Sequence, residues 1–197
     1  MKILRASSRD VYDLAALEIR SFAADDTSQI ARLMYPPEKQ PPYKEQIERR
    51  AASISDNLRH HLIKAISPEG KIVGYATWKS PGQDSVDITT SNGPSFAARF
   101  KARVKETRKE KMGQRQYWYL AMLVVDPDYW RQGVGRTLVQ WGLHLADASG
   151  TSTCFLEASV MAEAFYTKLG FRTLGWDQVQ TDVASHDMCR WPYMLRE

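Results

Sequence analysis

The residues best spaced for chemistry are Arg131-Gln132-Gly133-Val134-Gly135-Arg136. An apolar run ends at Asp126-Pro127 just before them, and apolar residues at helical spacing begin with Val134. A strand, a glycine turn and a helix in that order gather unpaired backbone N–H groups and the positive end of a helix dipole at one point, which makes a site for an anion. Gly133 and Gly135 let the backbone approach a pyrophosphate, and Arg131 and Arg136 add charge at its edge. From the turn alone, a plain strand-to-helix connection accounts for the glycines equally well. The third glycine of a dinucleotide fingerprint is missing, because position 138 is Leu, and no Gly-Lys-Ser/Thr of a P-loop is present. Other reactive side chains say less. His60, His61, His144 and His186 have no metal-ligand spacing, and Cys154 reads as a small buried hydrophobe rather than a catalytic thiol.

Several elements must position that turn. Tyr117 to Val125 is the most apolar stretch and is expected to be a strand buried on both faces. Val134, Leu138, Trp141 and Leu145 predict the helix after the turn, ended by Ser149-Gly150. Thr153 to Ala158 reads as a short strand. Ala162, Phe165, Tyr166 and Leu169 share a helix face closed by Gly170 and Phe171 in a Schellman arrangement. The segments through Trp176 and from Asp187 to Leu195 supply two last strands.

At the other end, Lys2 to Arg5 is a short strand, and Ser7 with Asp10 forms a capping box for a helix to about Ala24. Val11, Leu14, Ala15 and Phe22 share its inner face, and Glu18 falls there too, among apolar neighbours. Helical pieces between 28 and 57 are broken by Pro36-Pro37 and Pro41-Pro42. His61–Ile66 and Lys71–Trp78 predict an antiparallel hairpin across Ser67-Pro68-Glu69-Gly70, with a bulge at Gly74. Residues 81 to 94 form a flexible excursion leading into a basic segment.

Two blocks in this order resemble the GNAT superfamily of N-acetyltransferases. The first is Leu123-Val124-Val125-Asp126-Pro127 with Arg131-Gln132-Gly133-Val134-Gly135-Arg136, similar to the family's coenzyme A pyrophosphate motif. The second is Leu156-Glu157-Ala158-Ser159 with Phe165-Tyr166-Thr167-Lys168-Leu169-Gly170-Phe171, similar to its later strand and helix; Leu156 to Ser159 looks like fungal members in particular. The resemblance implies an α/β fold with a twisted mixed, mostly antiparallel sheet of about seven strands flanked by helices. The strands at Leu123 and Leu156 would be splayed to admit a pantetheine arm. It also implies acetyl-CoA as cosubstrate and transfer of the acetyl group to an amine. Cofactor contacts would fall on Leu123, Val124, Val125, Arg131, Gln132, Gly133, Val134, Gly135, Arg136 and Ser159. One departure stands out: Trp130 occupies a position where the family usually has Gln or Arg, which alters the rim of the site more than its backbone donors.

Direct acyl transfer from a thioester to an amine needs a neutral amine, a donor for the developing oxyanion and a proton for the leaving thiolate. A lysine amine near pKa 10.4 costs roughly 4 to 5 kcal/mol to free at pH 7, and an α-amino group near 7.7 about 1. The resemblance puts Tyr166 beside the sulfur as the acid, although spacing alone makes it a core aromatic. Glu157 and Glu18 are candidate bases, and a backbone N–H near Val125 the oxyanion donor. The alternative is a non-catalytic module that binds or senses acetyl-CoA.

The whole chain bounds these readings. Its 197 residues suit one domain, with substrate-side insertions at about 28–57 and 81–116. The net charge of +4 is concentrated between Lys101 and Arg115, where seven basic side chains face two acidic ones. That run reads first as a solvated helix face, then as a lid over phosphates or a seat for an acidic macromolecule. Aromatic residues are not interleaved with it, so nucleic acid is not expected as a partner. Two cysteines and no signal-like or membrane-spanning run predict a cytoplasmic protein, with the nucleus also open, and no membrane or metal partner. Monomer and homodimer both fit, the latter through strand exchange at an exposed Trp191.

Overall fold

A computed structural model describes residues 1–24, 29–34, 47–48, 51–52, 60–82, 95–182 and 187–197. The predicted proline-rich loop, most of the excursion at 81 to 94, and His186 lie outside those residues. The seven-stranded mixed sheet runs β1 (Lys2–Arg5), β2 (His60–Ile66), β3 (Ile72–Lys79), β4 (Trp118–Val125), β5 (Cys154–Glu157), β7 (Met188–Arg196), β6 (Arg172–Gln180). All its pairings are antiparallel except β4 with β5. On one face lie α1 (Val11–Ala24), α2 (Gln29–Met34) and α3 (Phe96–Met112); on the other lie α4 (Val134–Ala148) and α5 (Glu163–Thr167).

Local rules place most of these elements. Asp10 reaches back to the Ser7 N–H at 2.7 Å, and the chain turns through a short 3-10 segment before α1 begins. Its carboxylate also takes the Lys64 ammonium at 2.5 Å, which ties the start of α1 to β2. The α5 end closes as predicted: the Phe171 N–H donates to Tyr166 O at 3.2 Å and the Gly170 N–H to Thr167 O at 3.1 Å, the two bonds of a Schellman cap. In the β2–β3 hairpin the register slips between Ala65 and Ile66, so the extra residue is Val73, beside the expected Gly74.

Three expectations are corrected. First, β4 is not buried on both faces; Tyr119, Ala121, Met122, Leu123 and Val125 are only half-buried. The cause is β5, which pairs with β4 at Trp118 and Tyr119 alone and then leaves it. A bulge at Ala121, where the β3 register jumps from Met122 to Leu120, adds to the bend. Second, the core stripe of α4 is Val134, Leu138, Val139, Gly142, Leu143 and Ala146, with Trp141 and Leu145 at its margins. The glycine sets this rotation by letting the Trp78 ring lie against the helix backbone. Third, Trp191 is fully buried, with its ring 4.6 Å from that of Phe100, because α3 covers the β6–β7 end of the sheet. It offers nothing to strand exchange.

A Cβ at Gly142 would fall 2.1 Å from Trp78 Cε2. Gly142→Ala is therefore expected to destabilise the fold by about 2 kcal/mol or more, although alanine favours a helix by about 1 kcal/mol. Chemical denaturation reads the difference directly.

Candidate active site

Where β5 leaves β4, the sheet opens into a cleft of about 610 Å³. The Asp126 N–H bonds Val73 O on β3 at 2.9 Å, which fixes the phase of β4 so that Leu123 and Val125 turn their backbone groups away from β3 and toward the gap. Asp126 also locks the strand end in place. Burial pushes its carboxyl up, but hydrogen bonds from Lys71 and Arg20, at 3.1 and 3.0 Å, prevail and hold it below its ordinary value.

The turn after β4 enters the left-handed region at Arg131, φ 61°, and at Gly133, φ 84°. Arg131 is the one non-glycine residue with positive φ among the described residues, and such a conformation costs roughly 1 to 2 kcal/mol for a residue with a Cβ. The first bond of α4 runs from the Thr137 N–H to Gly133 O at 3.0 Å. The N–H groups of Val134, Gly135 and Arg136 precede it and open onto the cleft with the positive end of a 15-residue helix. Arg131, Arg136 and Lys168 line the cleft, and among the described residues no carboxylate does. A Cβ at Gly135 would sit 3.5 Å from Phe165 Cζ, 3.6 Å from Val125 Cγ2 and 3.7 Å from Leu123 Cδ2, so the protein itself leaves room for a side chain there. That unfilled cradle, with backbone donors and three cations around it, has the shape and charge for a diphosphate with an apolar arm.

Of the expected cofactor residues, Leu123, Val124, Val125, Arg131, Gly133, Val134, Gly135 and Arg136 line this cleft. Gln132 and Ser159 do not. The Gln132 side chain donates to Asp128 O at 2.8 Å, and Ser159 precedes the 3-10 turn before α5. Sequence reasoning missed Ser21 and Phe22 of α1, Tyr129, Phe165 and Lys168. Phe22 and Lys168 were visible only as a core position and a motif position. Trp130 is half exposed at the rim, and its indole N–H donates to Val125 O at 2.8 Å, a carbonyl that also accepts from Ser21 Oγ at 3.1 Å. The unexpected tryptophan thus occupies the carbonyl of Val125, one of the two β4 residues whose backbone groups face the gap.

The three candidate proton-transfer residues are separated by the sheet. Tyr166 belongs to the core on the α4 side, its ring 5.0 Å from Phe165 and 5.9 Å from Phe171, and burial pushes its hydroxyl above the ordinary phenol range. Glu157 and Glu18 lie on the opposite face. Tyr75, Lys79 and Tyr119 share that face through the β3–β4 register, and Phe155 and Glu157 continue it on β5. Glu18 is buried and accepts from the Tyr75 hydroxyl at 3.1 Å. The Glu157 side chain is 7% exposed, and its Oε2 accepts from the Tyr119 hydroxyl at 2.7 Å. Its Oε1 has no hydrogen-bond partner among the described residues. Burial pushes its carboxyl up to about 7, against the opposing charge of Arg108 and the Tyr119 bond. Glu157 is therefore poised to exchange a proton near neutrality, whereas Cys154, pushed up to about 12 by burial, is inert. His61 is a core residue, between the rings of Trp118 and Trp141 at 5.2 and 6.0 Å, with its pKa lowered by burial.

The profile of the acetyltransferase (GNAT) family matches residues 24–171, and the chain belongs to that family. Members of the family use acetyl-CoA. A stretch of 61 residues is 38% identical to the peptidyl-lysine N-acetyltransferase YjaB of Salmonella typhimurium, spanning 31% of this chain and 41% of that protein. Among solved structures, a histone acetyltransferase-related protein from Corynebacterium glutamicum superimposes with a TM-score of 0.63 at 24% identity, covering 99% of this chain and 94% of that one. The ribosomal-protein-alanine N-acetyltransferase of Brucella melitensis gives 0.61 at 16% identity, over 100% and 99%. A PaiA N-acetyltransferase from Thermoplasma acidophilum, solved with coenzyme A, gives 0.57 at 17%, over 100% and 98%. These likenesses establish the fold. The similarity of residues 156–159 to fungal members remains one of four residues.

Proposed function

We propose that this protein is an acetyl-CoA-dependent N-acetyltransferase acting on a peptide or small-molecule amine, with the diphosphate of the cosubstrate at residues 131–136 and the acceptor entering from the α1–α3 face. The observation that carries this reading is the gap between β4 and β5, with a cationic helix N-terminus lining the cleft beside it and, on β5, a buried carboxylate that has one oxygen without a hydrogen-bond partner among the described residues. Acetyl-CoA supplies the acetyl group as a thioester, activated toward an amine nitrogen. Glu157 takes a proton from the incoming amine at Oε1. With its carboxyl near 7, it is a base matched to neutral pH. Glu18 is a second carboxylate on the same face of the sheet. The Tyr166 hydroxyl keeps its proton at neutral pH and donates to the departing sulfur from the α4 side. Backbone N–H groups of β4 that face the gap serve the developing oxyanion.

The relatives supply the first amines to try. Purified protein with acetyl-CoA is assayed for thiol release in the presence of an N-terminally blocked peptide with one lysine, a lysine-free peptide with a free α-amino group, or spermidine. At least one amine is expected to raise release tenfold or more above the amine-free rate. Saturable binding of acetyl-CoA without amine-driven release would favour the sensing module instead.

A further inference from the structure

We propose that Arg108, on the basic helix α3, is a positioning residue for Glu157, holding the carboxylate's charge and aim from a distance that leaves Oε1 without a hydrogen-bond partner among the described residues. The inference rests on the reading of Glu157 as the base and assigns part of the Lys101–Arg115 charge a task inside the protein.

Arg108 Nε stands 3.9 Å from Glu157 Oε1, with the two side chains 13% and 7% exposed. That separation is beyond hydrogen-bond reach, yet a cation so close to a buried carboxylate interacts with it strongly. A bidentate Arg–carboxylate pair would instead fill the lone pairs that a base needs. The guanidinium is kept back by its seat on the Tyr119 ring, 4.3 Å from ring centroid to Cζ, while the same tyrosine's hydroxyl holds Glu157 Oε2 at 2.7 Å. One aromatic residue thus spaces the cation and aims the anion.

The helix that delivers Arg108 is fixed on both sides of it. Thr107 Oγ1 and Arg103 Nε donate to the buried Asp177 of β6 at 2.5 and 2.8 Å, and Met112 is buried against Phe155, Tyr193 and Leu195. Other charged or titratable groups face Glu157 as well. Asp177 opposes its ionisation, Lys79 Nζ lies 6.0 Å from the Tyr119 ring, and Tyr193 of β7 pairs across from Glu157 with Lys111 5.8 Å from its ring. Among the described residues, Arg108 is the cation that forms an ion pair with this unpartnered oxygen.

The test follows the Glu157 carboxyl carbon by NMR through a pH titration of glutamate-labelled protein, with Glu157→Gln to assign the signal. In Arg108→Gln the Glu157 midpoint is expected to rise by one pH unit or more, which from a midpoint of about 7 is roughly a fivefold or greater loss of ionised base at neutral pH. Arg108→Lys, which keeps a charge, is expected to restore part of the shift. In parallel, the acidic limb of kcat against pH for the best amine of the panel should move by the same amount in Arg108→Gln, with acetyl-CoA affinity unchanged, since Arg108 lies outside the cleft. An unmoved midpoint in both variants overturns the proposal. A moved midpoint with no matching limb in the rate supports the coupling of Arg108 to Glu157 and refutes Glu157 as the base.

Discussion

Gly135→Ala is expected to stabilise the protein slightly while weakening acetyl-CoA binding at least tenfold, about 1.4 kcal/mol. The two effects have different origins. A methyl at this position meets Phe165, Val125 and Leu123 at 3.5 to 3.7 Å, ordinary contact distances, so the folded chain accepts it. Alanine also lowers the entropy of the unfolded chain and favours the helix by up to about 1 kcal/mol. The same methyl stands in the cradle where the proposed diphosphate would approach the Val134, Gly135 and Arg136 N–H groups. Gly133→Ala supplies the contrast. A Cβ there meets nothing within 4 Å, but φ is +84°, so the cost, about 1 to 2 kcal/mol, falls on the fold through backbone strain. Calorimetric titration with acetyl-CoA and scanning calorimetry of both variants read affinity and stability separately. Unchanged affinity in a well-folded Gly135→Ala protein would remove the ligand from the 131–136 turn.

What the sequence disclosed, and what it withheld, follows from the range of the forces involved. The glycine turn, the Schellman end at Gly170 and the capping box at Ser7 are set by neighbours within six residues, and each is present where the spacing predicted it. The seven-strand sheet was implied by resemblance to a family and agrees with the structure. Features made by segments far apart in the chain were not legible. The half-open β4 depends on how soon β5 departs, and Trp191 is buried by a helix some ninety residues earlier in the chain. The cleft wall from α1 was hidden for the same reason: Ser21 reaches Val125 O across 104 residues. Charge patterning misled in part. The basic run looked like a solvated face, yet Arg103 and Arg108 turn inward to buried carboxylates, and only the alternation with Val104, Thr107 and Met112 hints at which side of the helix is covered.

Glu157→Gln should lower kcat by about 100-fold or more, the usual contribution of a general base, and at the same time make the protein more resistant to denaturation above pH 7. The sign follows from the carboxyl, pushed up by burial to about 7 from an ordinary 4.5. Between those two values the folded protein binds more protons than the unfolded chain, so stability falls as pH rises through the interval and stays low above it. The loss has a ceiling of about 3 kcal/mol at 1.36 kcal/mol per pH unit. Glutamine keeps the Tyr119 hydrogen bond and never ionises, so the variant escapes this decline. Denaturant unfolding of both proteins at pH 5 and pH 8 checks it: the two should be nearly equal at the lower pH and diverge at the higher one. The kinetic half is independent of the thermodynamic half. A purely structural carboxylate would show the stability difference with kcat intact, whereas a base must lose both its charge and the rate that rises with pH through its titration. A buried acid that weakens the fold whenever it ionises, and whose second oxygen has no hydrogen-bond partner among the described residues, contributes little that stability alone would ask for, which is what the proposed role in proton transfer accounts for.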